Sequence, residues 1–393
     1  MWANHAVRND LTGVAYRRKW TTDGLTPHPI REYTAFMKRK GAMTYAAAGV
    51  DLDAGDRVVE EIAQHVRRTH SPRVLGRFGG FAGCFRLDYE EALFRRHFKD
   101  PVLVTCTDGV GSKVLLAAQL KIFDTVGQDC VAMNVNDLIV GGAEPLFFVD
   151  YIGIDRDTPK RVAQIVKGVA DGCQIARCSL ISGETASLPD LYGKDHFDLV
   201  GFTVGVCERR RLIDGSRIAA GDVILGLASN GVHSNGYTLV RAILRRRRLN
   251  LQRVYPEADP ERTLGETLLV PTRIYVRPVM AAVQKYRVKA PIRGMAHITG
   301  GGLPGNVDRI LGSHLNAAIR TRSWEVPPIF RFLQQRGGVK EEEMFRVFNM
   351  GIGYVMVVRP HFAESIQHLL RRQGETVSVI GRVTRGTGRV VLK

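Results

Sequence analysis

Several absences narrow the field before any motif is considered. The 393-residue chain has no run of 18 apolar residues, so no membrane span is expected. Its six cysteines (Cys84, Cys106, Cys130, Cys173, Cys178, Cys207) form no Cys-x-x-Cys pair, and Cys173 and Cys178 lack partners at zinc spacing. They sit in or beside apolar segments, where a free thiol behaves as a small hydrophobe, and a reduced, cytoplasmic protein is expected. There is no Gly-x-Ser-x-Gly elbow and no Gly-Lys-Ser/Thr after a glycine loop, which excludes a serine-hydrolase nucleophile and a P-loop. Acids are scarce beside bases, 39 against 56, for a net charge of +17. That surplus invites a nucleic-acid reading. Its distribution argues otherwise, because residues 1–42 alone hold eight Lys/Arg against three Asp/Glu. Arg245–Arg248 closes a helix, where the dipole favours cations, and no aromatics interleave with it as a stacking platform requires. An anionic substrate or an arginine-rich proteome accounts for the charge, and no nucleic-acid partner is expected.

What the chain has is carboxylates beside glycine. Val102–Thr105 reads as a buried strand that ends at Thr107-Asp108-Gly109. Gly109 and Gly111 permit a close turn, and Lys113 opens a helix through Leu120. The spacing predicts a second helix over Gln128–Val140, with Val131, Val135 and Leu138 on one side. Asp129 and Asn136, about 20° out of phase on a 3.6-residue helix, fall on another side, with Asp137 next to them. Further on, the strand Ser179–Ser182 is expected to end at Gly183-Glu184, again placing a carboxylate at a strand terminus. Hard oxygen ligands beside glycine suit Mg²⁺ held with substrate phosphates, so Asp108, Asp129, Asp137 and Glu184 form the expected metal shell. Gly76–Gly83 is a glycine-rich loop able to present an anion-binding nest. Ser229–Tyr237 carries His233, Ser234 and Asn235 ahead of a helix, an arrangement suited to binding an anion or to acid–base work. His297, Thr299, Gly300 and Gly301 follow, in a glycine turn that admits something bulky close to the backbone.

The runs TDGVGSK, GQDCVAMNVNDLIVGGAEPLFF, HSNGY, HITGGG and FNMGIG closely resemble the aminoimidazole ribonucleotide synthetase (phosphoribosylformylglycinamidine cyclo-ligase) family of purine biosynthesis. The likeness covers about Met43 to Lys393. It departs at Ala46, where the family usually has Lys, and at Gly305 and Asp308, where Glu and Pro are common. The resemblance implies an ATP-dependent ligase acting with Mg²⁺. ATP phosphorylates the amide oxygen of formylglycinamidine ribonucleotide; a nitrogen then attacks that carbon, phosphate leaves and the imidazole ring closes. It implies catalytic roles for Asp108, His233 and Asn235. ATP contacts are implied at Gly79, Gly80, Thr107, Gly109, Lys113 and Asn136, and substrate contacts at Ser234, His297, Thr299, Gly300 and Gly301. It also implies a homodimer paired through N-terminal sheets. The rival within the superfamily is a selenophosphate synthetase or thiamine-monophosphate kinase. The former would want a Cys before its glycine segment, whereas Cys84 follows it.

The length suits two domains or one large one, and alternating strands and helices indicate a mixed α/β (α+β) fold with mixed sheets flanked by helices. The expected divisions are a basic extension over 1–42, an ATP/metal and dimerisation domain over 43–212, and a domain contributing to the substrate site over 213–393. The extension lacks the apolar core of a signal peptide. It reads as residues upstream of a true start at Met43, as a disordered tail, or as an organelle-targeting peptide.

Overall fold

Strand β3 (Pro101–Gly109) runs straight into a 3₁₀ turn and helix, and that junction sets the position of everything chemical in the molecule. The computed structural model describes residues 52–75, 83–87, 98–156 and 158–393. Ala46, the glycine loop at Gly79 and Gly80, and the whole 1–42 segment lie outside them. Tyr45–Lys393 forms one compact unit.

Helix α1 (Leu52–Arg67) is followed by a two-residue hairpin pair, β1 (Val74–Leu75) and β2 (Cys84–Phe85). After β3 come α2 (Val114–Leu120), α3 (Asp124–Leu138), β4 (Glu144–Ile154), α4 (Pro159–Ala176), β5 (Ser179–Ser187) and β6 (Phe197–Glu208). Four strands make a mixed sheet in the order β3-β6-β4-β5, parallel only between β4 and β5. On β4 the side chains alternate as a half-covered strand requires. Phe148, Ile152 and Ile154 are buried under α3 and α4, while Tyr151 is exposed. Leu103 and Phe202 share the outer face with Tyr151, since Thr107 pairs with Phe202 and Phe202 with Val149.

The second half contains β7 (Val223–Ala228), α5 (Tyr237–Arg247), α6 (Leu264–Leu269), α7 (Val276–Lys285), β8 (Ile292–His297) and α8 (Gly302–Val307). It continues with β9 (Leu315–Ile319), α9 (Pro328–Gly337), α10 (Glu341–Val347), β10 (Ile352–Val358), α11 (Ala363–Arg372), β11 (Val377–Arg385) and β12 (Val390–Leu392). Six strands pair in the order β12-β9-β11-β7-β10-β8, all antiparallel except β12 with β9. The two sheets draw on separate stretches of chain, 101–208 and 223–392, yet one apolar core runs from Phe148 and Ile165 through to Val355 and Ile380.

Two expectations about these elements are corrected. Helix α3 is not a helix with an open polar flank. Asp129, Asn134 and Asn136 are as buried as Val131 and Val135, because the segment after α6 covers the polar side. Strand β5 does not stop at Gly183 but continues to Ser187 in parallel register with β4, so Glu184 lies inside a strand, opposite Tyr151. The triple glycine behaves as expected in form, with Gly301 and Gly302 at φ of 97° and 60°. The bulky neighbour is the chain itself: a Cβ on Gly302 would fall 1.9 Å from the Phe345 carbonyl oxygen.

Candidate active site

Three segments meet beside the end of β3: helix α3, the 229–236 loop between β7 and α5, and the loop leaving β8. Asp108 is half-buried, and its Oδ1 accepts the Gly109 N–H at 2.8 Å. Burial holds its carboxyl above the usual range, and the charge of Asp137 adds to this; the Gly109 N–H and His297 act the other way. Asn134 fixes the turn from behind, donating to the Asp108 carbonyl at 3.0 Å and to the Cys130 carbonyl at 2.8 Å. Asp137, exposed on one side, contacts His297 Nδ1 at 2.8 Å. The Asn136 amide nitrogen, which can only donate, stands 3.4 Å from His297 Nε2. That leaves Nδ1 as the protonated ring nitrogen donating to Asp137. Asp108, Asp137 and His297 thus come together at one rim.

Lys113, Asp129 and Asn136 belong to a different construction. Lys113 Nζ lies 2.7 Å from Asp129 Oδ2, with both side chains fully buried. Its other donors reach the carbonyls of His233 at 2.9 Å and Val270 at 2.8 Å. Three donors meet three acceptors, which is all an ammonium has. Asp129 Oδ1 accepts from the Thr272 N–H at 2.7 Å and hydroxyl at 2.6 Å. Burial pushes Lys113 down and Asp129 up, each opposed by the other's charge. Asn136 accepts from the Tyr275 N–H at 2.9 Å and donates to the Arg273 carbonyl at 2.8 Å. Lys113 and Asn136, expected to contact ATP, and Asp129, expected to bind metal, instead lock α3 to residues 270–275. The corrections share one cause: buried polar groups must find partners, and here the partners are one another and the main chain.

Glu184 is not gathered with Asp108 either. Their rows of the sheet are separated by β6 and β4, about 14 Å at the usual ~4.8 Å strand spacing. Among the described residues no group of three or more His, Cys, Asp or Glu is arranged to hold a metal ion. Thr107 turns its hydroxyl to the Gly201 carbonyl at 2.9 Å.

The 229–236 loop is held by a residue that sequence reasoning passed over. Asn349 accepts from the Ser229 hydroxyl and the Gly351 N–H, both at 2.8 Å, and donates to the carbonyls of Gly231 and Val232. Its signal was present in the Phe348–Gly353 motif, which had been assigned no role. His233 adopts φ of 66° and is 2% exposed, and neither ring nitrogen has a partner. Burial drives its pKa well below 6.5, and His297, Lys113 and Arg273 push the same way. The ring is therefore neutral at physiological pH. Ser234 donates to the Val110 carbonyl at 2.9 Å, tying the loop to the end of β3. Asn235 lies over Met133, with Nδ2 to Sδ at 3.8 Å, and beside Gly300. Thr299 donates to Asn306 at 3.3 Å, and Asn306 in turn donates to the carbonyls of Gly300 and Gly302. Asn306 and Thr272 were also missed; single polar residues in loops carry no sequence signal of their partners.

Chemically, the site offers two carboxylates with unclaimed oxygens, a neutral buried imidazole, and amide and glycine backbone on the facing loop. Its thiols are poor nucleophiles, since burial raises Cys106 to about 12 and holds Cys130 well above the usual thiol range.

Residues 90–207 match the family model for the AIR synthase related protein N-terminal domain, and residues 219–393 the model for its C-terminal domain. A phosphoribosylformylglycinamidine cyclo-ligase of Geobacillus kaustophilus (strain HTA426) is 49% identical over 348 residues, 88% of this chain and 97% of that protein. The enzyme of the same name from Bacillus cereus (strain Q1) is 47% identical over the same shares. Among solved structures, thiamine-monophosphate kinase from Stenotrophomonas maltophilia K279a aligns with a TM-score of 0.62 at 17% identity, covering 86% of this chain and 96% of that one. Hydrogenase maturation protein HypE in complex with ATP aligns at 0.61 and 19%, covering 86% and 91%. At such identities the two structures speak for the fold alone.

Proposed function

This chain belongs to the AIR synthase related family, and on that premise we infer that it is an ATP-dependent ligase closing the imidazole ring of aminoimidazole ribonucleotide from formylglycinamidine ribonucleotide. The observation that carries the reading is the 49% identity along 97% of a cyclo-ligase of that name. Thiamine-monophosphate kinase shares the fold but only 17% of the residues.

In the reaction, the γ-phosphoryl group of ATP passes to the amide oxygen of the substrate, releasing ADP. The amidine nitrogen attacks the activated carbon, the C–O bond breaks, and phosphate departs with the electron pair while the nitrogen loses a proton. Positioning and electrostatics do most of such work. Asp108 and Asp137 fit Mg²⁺, which takes one or two carboxylates and leaves its remaining positions to phosphate and water. Two neighbouring carboxylates, one of them raised by burial and by the other's charge, want a cation. When bound, the ion would offset the charge on the transferring phosphoryl group. Asp129 has no place in that shell. His233, neutral and without partners, is suited to donate or accept one hydrogen bond toward the reacting amide rather than to serve as an imidazolium acid. Asn235, beside Gly300, and the main chain at Thr299–Gly301 would hold the ribonucleotide.

We further propose a homodimer. Leu103, Tyr151 and Phe202 lie uncovered on one face of the four-stranded sheet, and pairing that face with a second copy would bury it. No helix among the described residues is long and apolar enough to cross a membrane, and the free cysteines support a cytoplasmic setting. The deciding assay is coupled ADP release with and without formylglycinamidine ribonucleotide. Release that depends on that substrate is expected, and its absence at saturating ATP and Mg²⁺ would refute the assignment.

A further inference from the structure

Away from this site, at the junction between the two sheets, lies a cavity of about 420 Å³ into which Arg210, Arg211, Arg217 and Arg287 face. No Asp or Glu lines it. Only Arg210 is ion-paired, with Glu208 at 3.2 Å; among the described residues none of the other three has such a partner. Asp214, next to Arg217 in charge, is outside the lining and already accepts the N–H and hydroxyl of Ser216. An adjacent cavity of about 260 Å³ shares Arg211 and Arg287 but contains Glu144 and Glu208. Charge is balanced in the second cavity and unbalanced in the first.

The four arginines come from three places. Arg210 and Arg211 lie on a 3₁₀ turn after β6, Arg217 on the segment leading to β7, and Arg287 just past α7. Arg210, Arg217 and Arg287 are solvent-exposed and Arg211 is half-buried, so water screens their mutual repulsion, and an anion joining them would relieve what remains. Guanidinium forks arriving from several directions suit a tetrahedral group, whose oxygens point several ways, better than a planar carboxylate with two coplanar oxygens. Apolar Val283 and Pro291 form part of the wall and leave room for more than a lone phosphate. Ile292, where β8 begins, lines the cavity, whereas His297 stands at the end of that strand, about 17 Å away at ~3.3 Å per residue.

We propose that this cavity binds a small phosphate-bearing anion of two or more negative charges, at a site separate from the one that holds Asp108 and His297. Its occupant would tie the segment linking the sheets to the start of β8.

The test is isothermal titration of the full chain with inorganic pyrophosphate at constant ionic strength, with the nucleotide site saturated by β,γ-methylene-ATP. One pyrophosphate per chain is expected. Arg217→Gln/Arg287→Gln should weaken it at least tenfold, and Arg287→Lys, keeping charge but losing the fork, should weaken it less. Both variants should keep the wild-type melting temperature without pyrophosphate, and their ADP release should match wild type. Should the double variant fail to fold, Arg287→Lys alone decides, and unchanged affinity there overturns the proposal. So does a wild-type chain that takes up no pyrophosphate once the nucleotide site is filled. Oxalate, a dianion built only of planar carboxylates, serves as the competitor, and oxalate binding as tightly as pyrophosphate overturns the phosphate assignment.

Discussion

Replacing Lys113 by Met tests whether this lysine is a strut or a nucleotide ligand. Methionine keeps most of the volume and removes the ammonium. Asp129 would then be fully buried with only Thr272 for company. Breaking a buried ion pair by removing one partner typically costs about 3–5 kcal/mol. An independent limit comes from protonation. The stranded carboxyl can take up a proton, and at pH 7 that costs about 4 kcal/mol relative to an unfolded carboxyl near pKa 3.9. The two figures agree, so a loss of about 4 kcal/mol at pH 7 is expected. At pH 5 the protonation limit shrinks to about 1.5 kcal/mol. The sign follows from linkage. In the variant the folded-state pKa of Asp129 is raised, so its folded form is best tolerated below the unfolded pKa and is lost progressively as pH rises. Adding Asp129→Asn should recover at least half of the deficit and flatten its pH dependence, since an amide needs no counter-charge. Chemical denaturation of the four proteins of this cycle, at pH 5 and pH 7, measures each quantity. A Lys113→Met protein as stable as wild type, with KM for ATP raised tenfold or more, would refute the argument and return Lys113 to the nucleotide site.

Other outcomes follow from single groups. Asp150 is buried without a cation and its carboxyl is pushed up to about 7; its raised pKa means stability that is full below about pH 4 and falls as pH climbs to 7, by up to about 4 kcal/mol. Asp150→Asn should remove that slope in thermal melts from pH 5 to 8, and an unaltered slope would count against it. Asp108→Asn should cut turnover about 10²–10³-fold while the melting temperature holds or rises, because one of two neighbouring carboxylates is gone; a drop in melting without a drop in rate would make Asp108 structural. His233→Asn is the informative change at that position, since Asn tolerates positive φ. Turnover should fall about 10²-fold or more, and the wild-type rate should show no inflection from His233 between pH 6 and 8, where its ring is already neutral.

Much of the fold was legible because it rests on local rules. Pro159 begins α4 and Ala176 ends it, as the Thr158-Pro159 pair and the apolar spacing indicate. The arginine run closes α5, and the tail forms two strands around its glycine turn. The errors arose where a residue's partner is distant in sequence. Periodicity correctly put Asp129 and Asn136 on one flank of α3, but periodicity reports phase and not the neighbour. The neighbour is Thr272–Tyr275, more than 130 residues on, so a flank that looked like a metal shell is a docking surface. Glu184 was misplaced by a related error. Gly183 looked like a strand terminator, but β5 has β4 beside it and the ladder carries the chain through. The hydrogen of Gly183 is needed there for another reason: a Cβ would fall 2.0 Å from Asp150 Oδ1.

The same accounting separates working groups from supports within the family motifs. An unsatisfied buried polar group costs about 1–3 kcal/mol, so a fold with no use for one replaces it or pairs it. Ser234, Thr299, Asn136 and Lys113 all sit in motif positions, and all have their donors met by the protein. Their identity is explained by the loops they join. His233 differs from these four. It is buried in a left-handed backbone conformation that favours glycine or asparagine, among positive neighbours, with both ring nitrogens unmet. Each feature is a cost, and neither packing nor hydrogen bonding within the chain offsets the last of them. A partner absent from the folded chain would do so, and a substrate amide or phosphate entering between Asp108 and Asn235 brings acceptors and donors of the required kind. On the proposed function the imidazole would be preorganised for that ligand, in the same sense that Lys113 is preorganised for Asp129.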